Sequence, residues 1–151
     1  MFRTRAHVVT VVLATAAGSL LLTPSPAQAA GSLHLHKIYY NSPGSDRGGN
    51  ASLNAEYVQI KNGTRSAFQM RGYRLKDNEG HTYTFPSYRV SAGKTVKVHT
   101  GKGTKSAGHL YQGRGWYVWN NTKDKARLFT PGGKLKDSCS YNSARRVHVM
   151  C

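Results

Sequence analysis

The sequence predicts an all-β domain built as a β-sandwich. Three short segments, 56–62, 72–77 and 81–86, carry apolar residues at every second position, and turn residues separate them. Such alternation is typical of strands with one buried face. Short strands recur about every 8–12 residues between glycine-rich turns, and no helical period is found after residue 30, which favours a sandwich.

The N-terminal segment has the features of a secretory signal peptide. Arg3 and Arg5 precede an apolar stretch, residues 8–22, and a small-x-small cleavage sequence that ends at Ala29. The apolar stretch is shorter than the ~20 residues that span a bilayer, which argues against the alternative of an uncleaved anchor. We expect cleavage between Ala29 and Ala30 and release of a secreted product that does not stay in a membrane.

The remaining residues, 30–151, suit one domain, whose core we place at 33–141. Without Arg3 and Arg5, 20 lysines and arginines exceed the six carboxylates by 14. Such a charge attracts polyanions, and outside a cell these include wall polymers, shed DNA and acidic polysaccharides. The alternative is that the charge only keeps an exported protein soluble.

The first strand is expected at 33–40, where alternation begins, and the Gly- and Ser-rich residues 41–52 are expected to form a long exposed loop. In the second strand Val58 and Ile60 share the core face. The turn at 62–64 ends this strand.

The next apolar residues change parity: Phe68 and Met70 are even, whereas Tyr73 and Leu75 are odd. A β-bulge at or beside Gly72 would keep all four side chains on one face. We therefore predict one bulged strand here.

Residues 77–80 are predicted to form a hairpin turn, after which Tyr83 and Phe85 point inward. Val96 and Val98 mark a further core strand, because Lys97 and His99 alternate with them.

The second half continues with a loop at 101–113 that is rich in Gly, Lys, Thr and Ser. Trp116 and Trp119 are expected to pack in the core, as large aromatic side chains usually do. A hairpin turn at 130–133 leads to a strand in which Leu135 is the core position between two solvated lysines.

Both cysteines, Cys139 and Cys151, lie near the C-terminus, on either side of a last short strand at 147–149. In an exported chain two cysteines usually pair. The closed loop would hold 13 residues, which the chain-entropy relation converts to ~3 kcal/mol. A free Cys151 that makes an intermolecular bond is the alternative.

Enzymatic chemistry is poorly supported by the residues present. Asp77 and Glu79 share a hairpin turn, which favours solvated turn residues over a catalytic pair. Glu56 has core parity, which favours a structural hydrogen bond or ion pair. A phosphate-binding loop before Lys94 fails because Tyr88 stands where glycine is required. We predict no enzyme and no cofactor.

His34 and His36 are candidate metal ligands, because they project from one face of the first strand. Two such histidines bind a transition metal only with a third ligand. Nothing in the sequence brings His81, His99 or His109 close, so we predict no metal site.

Basic residues between positions 94 and 127 are the strongest binding candidates. Lysine and arginine contact phosphates without reading sequence, and Tyr111 and Trp116 lie nearby as aromatic side chains that can stack on bases. The alternative is that these residues are ordinary solvated strand faces that protect edges. The candidates are Lys94, Lys97, Lys102, Lys105, Arg114, Lys123, Lys125 and Arg127.

Six ordered motifs between about Leu33 and Tyr141 together resemble the lamin tail domain in its bacterial exported form. They are EYVQIKN at 56–62, GYRLKD at 72–77, HTYTFP at 81–86, VHTGKG at 98–103, WNN at 119–121 and DSCSY at 137–141.

The resemblance implies an immunoglobulin-like β-sandwich without catalytic residues. In nuclear lamins the related domain interacts with proteins and DNA, and in bacteria it often accompanies secreted nucleases or other hydrolases. The sequence departs from this setting in lacking a catalytic domain. It also places Lys123 and Lys125 around Asp124, where a more acidic turn is expected.

These observations predict a secreted, monomeric, non-catalytic binding module that makes electrostatic contact with an extracellular polyanion or wall surface. One alternative is a protein–protein accessory domain that assists an exported hydrolase. Another is a small hydrolase or nuclease with an unrecognised site.

Overall fold

The computed structural model describes residues 31–151 and confirms the all-β sandwich. The predicted signal peptide, residues 1–29, lies outside the described residues. Within residues 31–151 no helix is long and apolar enough to cross a membrane. The elements are β1 (Leu33–Tyr39), α1 (Asn50–Ala55), β2 (Tyr57–Asn62), β3 (Phe68–Gln69), β4 (Arg74–Lys76), β5 (Thr82–Thr84), β6 (Arg89–Val90), β7 (Thr95–His99), β8 (His109–Tyr111), β9 (Lys123–Phe129), β10 (Leu135–Asn142) and β11 (His148–Met150).

Two sheets form the layers of the sandwich. The first sheet has the strand order β11-β1-β2-β7-β8, and the second has the order β10-β9-β4-β5. Neighbouring strands are antiparallel except β7 and β8, which run parallel. A small pair, β3 and β6, lies beside them. Strand β1 contacts both β9 and β10 of the facing sheet.

The core lies between the sheets and follows the predicted alternation. Val58 pairs with Val98 and Ile60 pairs with Val96 across β2 and β7, and all four are fully buried. Leu128 of the second sheet belongs to the same cluster. Because side chains alternate along a strand, the side chains between these core positions on β2 and β7 point to the outer face of the first sheet.

The predicted bulge at Gly72 is confirmed: the backbone N–H of Gly72 donates to Phe85 O at 3.0 Å and Tyr73 O accepts from the backbone N–H of Phe85 at 2.9 Å, so two residues oppose one. The predicted single strand is wrong, because the chain also turns here, between β3 and β4. The backbone N–H of Tyr73 donates to Met70 O at 3.0 Å, and Gly72 has a φ of +79°. Positive φ is a conformation that glycine adopts without a Cβ penalty. Met70 and Leu75 are still both buried, but Met70 directly follows β3 of the small pair, whereas Leu75 lies on β4 of the second sheet.

Both predicted loops contain regular structure. The loop at 41–52 runs into helix α1, which begins at Asn50, and the loop at 101–113 contains strand β8. Each element has a single fully buried apolar anchor, Leu53 in α1 and Leu110 in β8. One apolar residue makes no period, so the sequence pattern could not reveal either element.

Two predicted core residues are exposed. Leu135 is 49% exposed and Trp116 is 61% exposed, whereas Trp119 is buried as expected. The β9–β10 register shifts just after Leu135, so this residue lies outside the alternation of the rest of β10. Trp116 packs against the backbone of Gly48 at the surface instead.

The predicted disulfide between Cys139 and Cys151 is confirmed. Strand β11 pairs with β1, and the backbone N–H of Cys151 donates to His36 O at 3.0 Å. Cys139 lies on β10 of the second sheet. The bond therefore ties the two sheets together along one edge of the sandwich.

Candidate functional site

The outer face of the first sheet is basic and free of acidic side chains. We call this surface the first-sheet face. Its five strands contain no Asp or Glu. Its lysines, histidines and tyrosines are half-buried, except His99, which is buried. These residues are Lys37, Lys61, Lys97, His34, His36, His99, His109, His148, Tyr39, Tyr57 and Tyr111.

One aromatic ring from each strand forms a continuous row across this face. The order is His148, Tyr39, Tyr57, His99 and Tyr111, and each ring lies in register with the next. Neighbouring ring centroids are 5.0–5.9 Å apart. Three of the four contacts are stacked and the fourth is tilted by 57°. The ring faces are thus largely covered by neighbouring rings, which leaves ring edges and polar atoms for outside groups.

His99 anchors the row to the elements around it. Its Nδ1 lies 2.6 Å from Asn54 O, and its Nε2 lies 2.9 Å from Nδ1 of His109. Burial lowers the pKa of His99, and the positive charge of Lys97 lowers it further. In the neutral ring the Nδ1–H donates to Asn54 O, so Nε2 accepts a hydrogen bond from the Nδ1–H of His109. Helix α1 and strand β8 are both tied to the face in this way.

A row of nitrogen-bearing side chains, two of them lysines, runs beside the aromatic row. Lys37, Gln59, Lys97 and His109 lie in register across β1, β2, β7 and β8. The Nζ of Lys97 is 4.6 Å from the ring centroid of Tyr57, which is a cation–π distance. Two lysine side chains, Lys37 and Lys97, therefore accompany the aromatic row, and the amine of Lys97 lies over the Tyr57 ring.

A basic cleft of about 450 Å³ adjoins the first-sheet face. It includes Thr95, the first residue of β7, and its cationic side chains are Arg89, Lys94 and Lys105. Tyr88 spans it, because its hydroxyl donates to Ser106 O at 3.1 Å. The cleft extends the positive surface beyond the end of the sheet.

The eight predicted basic candidates are not gathered at one place. Lys97 lies on the first-sheet face, and Lys94 and Lys105 line the cleft. The backbone of Lys102 is held by Asn50 at the start of α1. Four others lie elsewhere: the Arg114 guanidinium donates to Thr82 O, and β9 of the second sheet carries Lys123, Lys125 and Arg127.

Sequence reasoning missed most of the face. Lys37 and Lys61 were not candidates, and the histidines were considered only as metal ligands. Alternation along β2 and β7 could have placed Lys61 beside Lys97 on an outer face. The register shift between Leu35 and Lys37 hides the same signal in β1.

Glu56 is a buried structural carboxylate at the start of β2. Its Oε1 accepts hydrogen bonds from Thr100 Oγ1 at 2.6 Å, Val118 N at 2.9 Å and Trp119 N at 3.2 Å. Its Oε2 has no partner among the described residues. Burial raises the pKa of Glu56 to about 7, although the three donors oppose this change. The expected structural hydrogen bond is confirmed, and it fixes the 116–119 segment.

The turn at 77–80 differs from the solvated turn that was predicted, because Asp77 is buried. Its Oδ1 accepts from the backbone N–H groups of Glu79 and His81, and its Oδ2 lies 2.5 Å from His81 Nδ1. Asp77, Glu79 and His81 are the one group of three potential metal ligands found among residues 31–151. The carboxylate's contacts all serve to close the turn, so this group has a structural explanation.

The histidines considered for a metal are dispersed. The ring centroids of His34 and His36 are 6.2 Å apart on β1, while His99 and His109 pair with each other on β7 and β8. His81 belongs to the turn before β5 in the second sheet.

A sequence model of the Lamin Tail Domain family matches residues 26–143, and the chain belongs to this family. The family is one of non-catalytic interaction domains with an immunoglobulin-like fold. Strand β11 and Cys151 lie beyond the matched residues. A comparison with curated proteins found no match.

Proposed function

We propose that this chain is a secreted, non-catalytic module that attaches to an extracellular polyanion by electrostatic contact. The single observation that carries the proposal is the first-sheet face, which has three lysines and five histidines and no carboxylate on its strands. Membership of a family of interaction domains supports a binding role. The predicted signal peptide supports a ligand outside the cell.

The physical basis is the release of counterions from the polymer. Each phosphate or carboxylate that a lysine neutralises frees condensed salt ions, so affinity falls steeply as salt rises. The surplus of 14 positive charges in residues 30–151 adds a longer-range attraction, which reaches about 8 Å at physiological salt.

The test is a set of binding isotherms for the purified protein with duplex DNA, an isolated anionic wall polymer and neutral dextran. We assume about three phosphate contacts. When salt is raised from about 50 mM to about 200 mM, the affinity for the two polyanions should then fall by roughly tenfold to a hundredfold. Dextran should not bind. Polyanion binding that does not change with salt, or no binding at low salt, would contradict the proposal.

A protein partner is a second candidate, favoured by the outer edge of β11. This strand ends the first sheet, and nearby Val147 and Met150 are 43% and 51% exposed. An exposed apolar edge strand is a ready site for strand addition. Capture of a secreted hydrolase that persists at high salt and is lost in Met150→Lys would support this role; capture that high salt abolishes would argue against it.

A further inference from the structure

We infer that the first-sheet face is the surface that holds the polyanion, and that its occupant is a polyol phosphodiester polymer. In such a polymer phosphates are joined by short hydroxylated linkers. The inference rests on the proposed function, because it names the surface and the ligand class of that same electrostatic contact.

The face offers an anionic chain positive charge without acidic competitors. Lys37, Lys61 and Lys97 lie on three adjacent strands, and histidines add protonatable donors on β1, β7, β8 and β11. The nearby carboxylate of Asp137 lies on β10 and is occupied, because it accepts from the backbone N–H of Leu35 at 2.8 Å. Phosphate oxygens are suitable acceptors for all of these donors.

The packing of the aromatic row identifies the kind of polymer. A platform for single-stranded nucleic acid needs open ring faces on which bases stack, whereas the rings of this row stack on each other. What the half-buried tyrosines Tyr39, Tyr57 and Tyr111 offer is a hydroxyl, which can both donate to and accept from a polyol hydroxyl.

The breadth of the site favours a thin chain over a rigid duplex. Groups that can bind phosphate are present on all five strands, and adjacent strands are about 4.8 Å apart. A flexible polymer that crosses the strands can contact each of them in turn. A cylindrical duplex that lies along the strands touches only a narrow strip and leaves the outer strands unused.

The histidines make the contact sensitive to pH. Charged neighbours on the face are Lys37, Lys61 and Lys97, and the cleft adds Arg89, Lys94 and Lys105. Burial lowers the pKa of His36, and Lys61 lowers it further. Burial also lowers the pKa of His99, although the hydrogen bond to Asn54 opposes this change. A bound polyanion favours the protonated rings and so raises these pKa values. By linkage, affinity must rise as pH falls through the histidine range.

The surface is tested with two variants that each remove three positive charges. The first-sheet variant is Lys37→Gln/Lys61→Gln/Lys97→Gln. The matched control is Lys76→Gln/Lys125→Gln/Lys136→Gln, whose lysines lie on β4, β9 and β10 of the second sheet. Thermal unfolding establishes that both are folded. The probe is poly(glycerol phosphate). We expect the first variant to bind it about tenfold more weakly or worse than the wild type. The slope of log affinity against log salt concentration should become shallower by about two to three. The control should change both much less.

The histidine contribution is tested with His34→Gln/His36→Gln/His148→Gln. We expect the wild-type affinity for poly(glycerol phosphate) to rise roughly tenfold from about pH 7.5 to about pH 5.5, and this rise to be mostly lost in the histidine variant. At the higher pH the two proteins should bind nearly equally. An equal pH response in both proteins would overturn the role of these histidines.

The possible failures are distinguishable. Equal losses in the two lysine variants would overturn the assignment of the surface while polyanion binding itself stood. Tighter binding of duplex DNA or single-stranded DNA than of poly(glycerol phosphate), at equal phosphate concentration, would overturn the ligand class. If the wild-type protein bound none of the three polymers at low salt, the proposed function itself would fail.

Discussion

Glu56→Gln should remove a pH dependence that the buried carboxylate imposes on folding. Glu56 is fully buried, and burial raises its pKa in the folded protein to about 7 from a reference value of 4.5. The folded state therefore binds this proton more tightly than the unfolded chain does. Its contribution to stability is fully present below about pH 4.5 and is lost as pH rises to about 7, with no further loss above that.

The magnitude follows from the size of the pKa difference. Each pKa unit corresponds to about 1.36 kcal/mol, so the full pKa difference of Glu56 changes the free energy of unfolding by about 3 kcal/mol. About 2–3 kcal/mol of this is lost between about pH 5 and about pH 8. A glutamine keeps an acceptor oxygen for Thr100, Val118 and Trp119 but cannot ionise. We therefore expect the free energy of unfolding of the wild type to fall relative to that of Glu56→Gln across this range.

Urea unfolding of both proteins at several pH values measures this difference. Histidines with lowered pKa values, such as His99, make stability rise with pH, but they are present in both proteins and cancel in the comparison. A difference curve that is flat between about pH 5 and about pH 8 would refute the reasoning. Glu56→Ala separates the hydrogen bonds from the charge, because it leaves the three donors without their acceptor, at about 1–3 kcal/mol for each buried donor.

Three further substitutions test other parts of the fold by chemical denaturation. Cys139→Ser/Cys151→Ser opens a loop of 13 residues (sequence separation 12), and the unfolding free energy should drop by about 3 kcal/mol; a loss well under 1 kcal/mol, roughly, would show that the unfolded chain gains little freedom. Gly72→Ala should lower the unfolding free energy by about 1–2 kcal/mol, because the residue has a positive φ. Crowding adds to this loss, since the new Cβ would lie 3.2 Å from a neighbouring proline. Gly44→Ala should cost less, because Gly44 also has a positive φ but lies in open space. Asn62→Ala removes a buried amide that donates to two backbone carbonyls at 2.8 Å, and a loss of about 2–3 kcal/mol is expected; a neutral result would mean that water replaces the amide.

The disulfide and the sandwich were accessible from the sequence for different reasons. Apolar residues at every second position along residues 56–62 or 95–99 predict which side chains are buried, because each strand has one face toward the core. The disulfide followed from counting, since two cysteines have only one way to pair within the chain. Neither inference depends on how distant segments are arranged.

Gly72 shows what a local pattern leaves open. A parity change is compatible with a bulge inside one strand and with a turn between two strands, and the structure combines a bulge with a turn. The partners of the flanking residues are what separate the two strands: Met70 N bonds to Tyr88 O, whereas Leu75 pairs with Tyr83 and Leu128. Those partners lie far enough along the chain that no local period carries the information.

The candidate site depended still more on tertiary structure. The sequence by itself determined the fold class, the family and the excess of positive charge, because these follow from local alternation, ordered motifs and composition. It could not determine which charges act together. Tyr39, Tyr57, His99, Tyr111 and His148 become one row only when five strands pair in a particular register, and a shift of one residue would turn each ring to the opposite face. The strand register is set by burial of the apolar side chains on the opposite face of each strand. The core residues, which the sequence pattern predicts, therefore bring together the surface residues, which it does not.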